Sequence, residues 1–344
     1  MFEKNRERYV VRTVLTKLLS AFLLFSVVAP IAVLLSSCSE KRNEFSVFAF
    51  DTYLEFNLRS LGKDKDDKIQ KKVKSEVERY EKIFSRTDEG SELYGINQSQ
   101  DTVFAVSDDL ADLISESIAI AEKTGGAFDF TCGALTELWR ISDPNAPIPD
   151  GEEISNALEY VGYKKVTLDG HMLKRPVGVI MDFGAIAKGY AEKKITELLI
   201  SEEVEQGILS FGGNISVFGK KDDGSEYRVA IKNPYGESGY SGYVQIPSGY
   251  VSVCGTYERN KTVDGVFYHH IFDPESGYPK NGDIVSVALI CDDGTIADAF
   301  STALFVMGDG AYEWVSDCGY DIGAIFFMKD GTAKTVGDIN YMRK

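Results

Sequence analysis

Between residues 207 and 291 the chain passes through strand-like runs at 207–211, 227–231, 243–246, 251–254, 266–271 and 284–291, several of them joined by short turns. A parallel pair needs a crossover of a dozen or more residues, usually a helix, whereas antiparallel strands can join through two. This stretch therefore has to form largely antiparallel sheet. Helical periodicity is found on either side, at 68–84, 107–123, 154–160 and 187–200 before it and at 295–307 after it. Further strands are expected over 45–58, 166–168, 177–181, 322–328 and 333–336, with 166–168 and 177–181 pairing across the turn at Asp169-Gly170. Ser107 is an expected N-cap, and Gly125-Gly126 an expected stop for the helix it starts. The fold class is α+β: mostly antiparallel or mixed sheets packed with helices, not a succession of βαβ units.

The N-terminus carries an address. Lys4, Arg6, Arg8, Arg12 and Lys17 precede an apolar run over 18–35, and Ser36-Ser37-Cys38 closes it. A basic region, an apolar region and small residues describe a secretory signal. A cysteine directly after the small residues is similar to a bacterial lipobox, in which Cys38 is lipidated and becomes the first mature residue. The apolar run is also just long enough for an uncleaved anchor. The expected organisation is a signal peptide over 1–37, a lipidated tether over 38–44 and one domain over 45–344. On this reading the protein works at the extracytoplasmic face of a bacterial membrane.

Charge excludes other partners. The whole chain carries −16, and the signal removes five basic and two acidic residues, so the mature protein carries −19. Nucleic acid needs a basic surface and is not an expected partner. Flat adsorption on anionic lipid is equally disfavoured, so the membrane is held through the lipid anchor alone. The remaining cysteines, 132, 254, 291 and 318, are far apart and form neither a disulfide framework nor a zinc pattern.

Five segments carry chemistry. His269-His270-Ile271-Phe272-Asp273-Pro274-Glu275-Ser276-Gly277-Tyr278-Pro279 places two of the three histidines at a strand end before a rigid turn, where an imidazole is suited to proton transfer. Asp182 to Tyr190 runs from a strand end into a helix. There Gly184 and Gly189 allow close backbone approach, the helix N-terminus favours an anion, and Lys188 can meet a phosphate. Phe211-Gly212-Gly213-Asn214 and Gly125-Gly126-Ala127-Phe128-Asp129 are two more tight polar junctions, which serve equally well as plain turns. On the helix over 295–307, Asp298, Ser301 and Thr302 fall at i, i+3 and i+4, and a carboxylate with hydroxyls suits Mg²⁺. The same spacing also suits an ordinary first helical turn with Asp298 favouring the dipole.

Taken in chain order, these segments resemble the ApbE family, the FAD:protein FMN transferases. Phe48-Ala49-Phe50-Asp51-Thr52 is similar to the family's entry strand, and Ser91-Glu92-Leu93 with Asn97 to its early loop. The resemblance implies an ApbE-like fold and FAD as substrate, bound around Phe50, Thr87, Ala127, Phe128, Asp129, Asp182, Lys188 and Ile271. It implies Mg²⁺ held by Asp298, Thr302 and the backbone carbonyl of Ala185, with His270 as general base. It implies passage of FMN to a Thr or Ser hydroxyl of an acceptor flavoprotein, with AMP leaving. Two departures stand out: Thr87 occupies a place where many members carry an aromatic residue, and Phe50 and Phe128 stand where methionine is common. A Mg²⁺-dependent FAD pyrophosphatase would use the same residues with water as acceptor, and a flavin-binding lipoprotein without turnover is the alternative from another class.

Overall fold

The computed structural model describes residues 41–236 and 239–344. The signal segment and Cys38 lie outside the described residues. The chain opens with a hairpin, Arg42–Ala49 (β1) and Thr52–Arg59 (β2), followed by Lys63–Phe84 (α1), Glu92–Gln98 (α2), Val103–Ala105 (β3) and Asp108–Lys123 (α3). Gly133–Trp139 (α4), Gly151–Leu158 (α5), Thr167–Asp169 (β4), Met172–Lys174 (β5) and Ala187–Ser201 (α6) lead into the strand-rich half. There Gly207–Phe211 (β6), Asn214–Phe218 (β7), Tyr227–Lys232 (β8), Tyr240–Ile246 (β9), Gly249–Gly255 (β10), Asn260–Val263 (β11), Val266–His269 (β12) and Ile284–Cys291 (β13) follow in turn. Gly294–Met307 (α7), Ala311–Asp317 (α8), Gly323–Met328 (β14), Ala333–Val336 (β15) and Tyr341–Arg343 (β16) complete the chain.

The main sheet has eight strands in the order β1-β2-β6-β7-β10-β13-β14-β15, and smaller sheets are β16-β9-β8, β3-β5-β4 and the β11-β12 hairpin. Pairing is antiparallel from β2 to β15. Side chains alternate between two cores, as a period of two requires. Val287, Leu289, Ala324 and Phe326 enter the core shared with α1, α6 and α7, while Ala288, Ile325 and Phe327 enter the core shared with β8 and β9. Strands buried on both faces read as continuous apolar runs, which is why 284–291 and 322–328 stand out in the sequence. Helix α7 lies inside the first core; Phe300 and Leu304, both fully buried, each stabilise it by about 1.5–3 kcal/mol.

The α+β class and the antiparallel sheet agree with the sequence reading, and several boundaries differ. Residues 45–58 are two strands, not one, because Phe50 and Asp51 turn the chain with φ of 52° and 60°. Two successive positive φ values make the tight hairpin turn that matches strand twist, here without the usual Gly or Asn. Strand β1 starts at Arg42, inside the segment read as a tether. Asn43 is buried, and its Oδ1 accepts from Gln70 Nε2 at 2.6 Å, tying the strand to α1. Residues 177–181 do not pair with 166–168: β4 pairs with β5 across Gly170, and Ile180 makes only a parallel bridge to Cys132. Ser107 precedes α3 as expected, but its hydroxyl donates to Glu92 Oε2 at 2.6 Å instead of capping the helix.

Candidate active site

The 182–190 segment is held from several sides. Asn97 of α2 donates to the Met181 carbonyl at 2.8 Å and accepts from its amide at 3.0 Å, so a side chain plays the part of a missing strand. This fixes the chain as it reaches Asp182. Asp182 Oδ1 accepts from the Gly184 amide at 2.9 Å, and its Oδ2 accepts from Thr136 Oγ1 at 3.0 Å and Arg86 Nε at 3.2 Å. The turn then enters α6, where Lys188 Nζ donates to the Gly184 carbonyl at 3.3 Å.

Helices α6 and α7 meet at glycines. A Cβ on Gly189 would lie 2.1 Å from the Gly294 carbonyl oxygen and 2.5 Å from Asp298 Cβ. The close approach expected of Gly189 is therefore made to α7 and not to a ligand. It lets the Gly189 amide donate to Asp298 Oδ2 at 2.9 Å, and places Lys188 Nζ 3.9 Å from the same oxygen. Asp298 is only 5% exposed, and a carboxylate that deep needs such partners. Ser301 does not share its outlook: it donates to the Asp298 carbonyl at 2.8 Å and turns inward toward Ser252, which is bonded to Asn214 Oδ1 at 2.7 Å. Thr302 is half-buried, with Oγ1 3.6 Å from the Cys254 thiol, which burial pushes up to about 12 and so keeps protonated.

The two histidines divide their roles. His269 is 5% exposed; its Nε2 meets the Lys280 carbonyl at 3.0 Å and its Nδ1 accepts from the Ile271 amide at 3.2 Å, so the ring is fully committed to the turn. His270 is half-buried, and its Nδ1 lies 3.1 Å from the Arg259 carbonyl. A carbonyl only accepts, so Nδ1 carries the proton and Nε2 keeps a free lone pair. Among the described residues nothing bonds to Nε2. Burial, with the nearby Arg259 and Lys188 charges, lowers its pKa to about 4, so the ring is neutral at pH 7. Arg259 also lies 3.6 Å from Asp51, which links the His270 loop to the β1–β2 turn.

The structure thus brings Asp182, Ala185 and Lys188 onto one segment that meets Asp298, one turn before Thr302, with the Lys188 charge felt at His270. Thr87 is exposed on the loop beside Arg86. Phe50 is half-buried at its turn, its amide donating to Glu81 Oε1 at 2.9 Å. Ala127 is half-buried against the core. Three further expected residues lie in the core or are bonded within the protein. Phe128 and Ile271 are 2% and 3% exposed in the core, so their side chains present no open surface. Asp129 spends both oxygens within the protein, on Thr131 and on the Tyr163 amide at 2.8 Å. Arg86, Thr136, Cys254 and Arg259 escaped the sequence reading: each acts across more than ten residues of chain, and no local periodicity marks such a contact.

Residues 50–326 match the ApbE family. A Treponema pallidum protein named FAD:protein FMN transferase is 34% identical over 256 residues, covering 67% of this chain and 69% of the relative. A Klebsiella pneumoniae protein of the same name is 31% identical, covering 71% of this chain and 77% of its own. The crystal structure of the ApbE protein from Thermotoga maritima superposes with a TM-score of 0.79 at 33% identity, covering 86% of this chain and 97% of that one. The flavin transferase ApbE from Vibrio cholerae gives 0.77 at 27% identity, with coverage of 86% and 96%.

Proposed function

Because the chain belongs to the ApbE family, we propose that it transfers FMN from FAD to a Thr or Ser hydroxyl of an exported or membrane flavoprotein, releasing AMP. The observation that carries this reading is the junction of α6 and α7. There a strand-to-helix turn offering Asp182 and Lys188 is pinned to Asp298 by the Gly189 amide at 2.9 Å. The acceptor oxygen forms a bond to the FMN phosphorus as the bond to the AMP phosphate breaks. The acceptor proton passes to His270 Nε2, the neutral and unbonded ring nitrogen.

The donor set at the junction fits Mg²⁺. Asp298 supplies a carboxylate, Thr302 a hydroxyl and Ala185 a backbone carbonyl, all hard oxygens, and the Lys188 ammonium already lies beside Asp298 and the Gly184 carbonyl. When bound, the ion neutralises the phosphate oxygens of FAD on a strongly acidic protein. Lys188 then orients the pyrophosphate, and Asp182 accepts hydrogen bonds from the substrate.

Location completes the proposal: lipidation of Cys38 anchors the protein outside the cytoplasmic membrane, within tether reach of its acceptors. The decisive test incubates the mature protein with FAD, Mg²⁺ and a candidate acceptor domain, followed by denaturing electrophoresis. A flavin-fluorescent acceptor band with AMP release supports transfer. AMP and free FMN without a band mean that water is the acceptor and the protein is a pyrophosphatase. FAD bound without AMP release reduces it to a flavin carrier.

A further inference from the structure

Arg86 has no part in the reading above, yet it is bonded to Asp182, one of the residues expected to bind FAD. It follows Ser85, where α1 ends. The next residues form a tight loop: Ser85 Oγ accepts from the amides of Thr87 and Asp88 at 3.3 and 3.0 Å, Asp88 Oδ1 accepts from the Gly90 amide at 2.9 Å, and Ser91 donates to the Ser85 carbonyl. This loop leaves Thr87 exposed and sends Arg86 inward, its side chain 21% exposed. Nε donates to Asp182 Oδ2 at 3.2 Å, and a terminal nitrogen lies 3.6 Å from Glu137 Oε1 on α4. Among the described residues no other basic side chain pairs with either carboxylate.

We propose that Arg86 is a positioning residue for FAD: it fixes the rotamer of Asp182 and cancels the joint charge of Asp182 and Glu137, so that the site accepts an anionic substrate. The inference rests on the transferase reading. Without the guanidinium, Asp182 keeps Thr136 and Gly184 but loses the basic partner that it shares with Glu137. A planar fork reaches two carboxylates at once, whereas a lysine is a single point charge. Arg86 also ties the loop bearing Thr87 to the 182–190 segment.

The test is a fluorescence titration of FAD into the full mature protein, with steady-state kinetics alongside. Arg86→Gln should weaken FAD binding roughly ten- to hundredfold, the scale of one lost charge-assisted hydrogen bond. The loss should fall on the KM for FAD, with kcat at saturation near wild type. Arg86→Lys should recover part of the affinity, and Glu137→Gln in the Arg86→Gln background should recover part as well, because it removes the repulsion. Wild-type affinity in Arg86→Gln overturns the inference. So does a loss that neither second change repairs and that comes with a lowered unfolding midpoint, since Arg86 would then be a folding residue only. If the wild-type protein itself binds no FAD, the transferase reading falls, and this inference with it.

Discussion

Replacing Gly189 by alanine sets two terms of opposite sign against each other. Alanine is the better helix former, by about 1 kcal/mol, and Gly189 lies in the first turn of α6. The new methyl would lie 2.1 Å from the Gly294 carbonyl oxygen, and that oxygen is backbone in α7 and cannot rotate away. Relief requires the helices to part by about 1 Å, and overpacking of this kind costs about 1–3 kcal/mol. The same movement stretches the 2.9 Å hydrogen bond from the Gly189 amide to Asp298. That bond is charge-assisted and deeply buried, worth about 1.5–3 kcal/mol. The balance is a destabilisation of roughly 1.5–5 kcal/mol, read as a lower denaturant midpoint at unchanged slope. Mg²⁺ affinity, measured by calorimetry on the folded variant, should fall with it, because Asp298 loses the donor that aims it. Gly184→Ala is the control: its Cβ would meet only the Asp182 Oδ1 atom at 3.1 Å, so it should cost far less. A Gly189→Ala protein with wild-type midpoint and wild-type Mg²⁺ affinity would refute the argument that this contact builds the site.

Asp298→Ala should abolish FMN transfer at any Mg²⁺ concentration, since the Thr302 hydroxyl alone cannot hold the ion; wild-type activity in that variant, or undiminished activity of the wild-type protein in excess chelator, would contradict this. His270→Ala should bind FAD normally and transfer FMN roughly 10²-fold or more slowly, the scale of a lost general base. His269→Ala should instead lower the unfolding midpoint, because that ring holds the Lys280 carbonyl and the Ile271 amide. The folded pKa of His270 lies near 4, below its ordinary 6.5, so between those values the unfolded chain binds a proton that the native protein does not. The contribution of His270 is present above pH 6.5 and is lost as pH falls toward 4, by up to about 1.4 kcal/mol per pH unit. Denaturation curves across this window should be less steep in pH for His270→Ala than for wild type. Mass spectrometry of the mature N-terminus should find a diacyl- or triacyl-cysteine at Cys38; an unmodified cysteine or a retained Met1 would exclude the anchor.

What the sequence determined by itself are features with a local physical cause. Strand and helix periods are written in neighbouring residues, so the antiparallel sheet, α1, α3, α6 and α7 could be placed within a few positions. Turn chemistry marked the His269–Pro279 segment, and helical spacing put Asp298 and Thr302 one turn apart. Local rules also failed where the cause was not local. The β1–β2 turn puts Phe50, which is no turn former, at positive φ ahead of Asp51, and the contacts around it come from distant residues: Glu81 on the Phe50 amide and Arg259 beside Asp51. The family resemblance had already pointed to His270 as the base, but only the tertiary structure supplied the physical reason, which turned on the carbonyls of Lys280 and Arg259, each 11 residues away from the ring it meets. It likewise decided that Gly189 faces a helix and not a ligand, that Phe128 is core, and that Arg86 reaches Asp182 across 96 residues of chain. Periodicity shows which face of an element is buried; it carries no record of what that face is buried against.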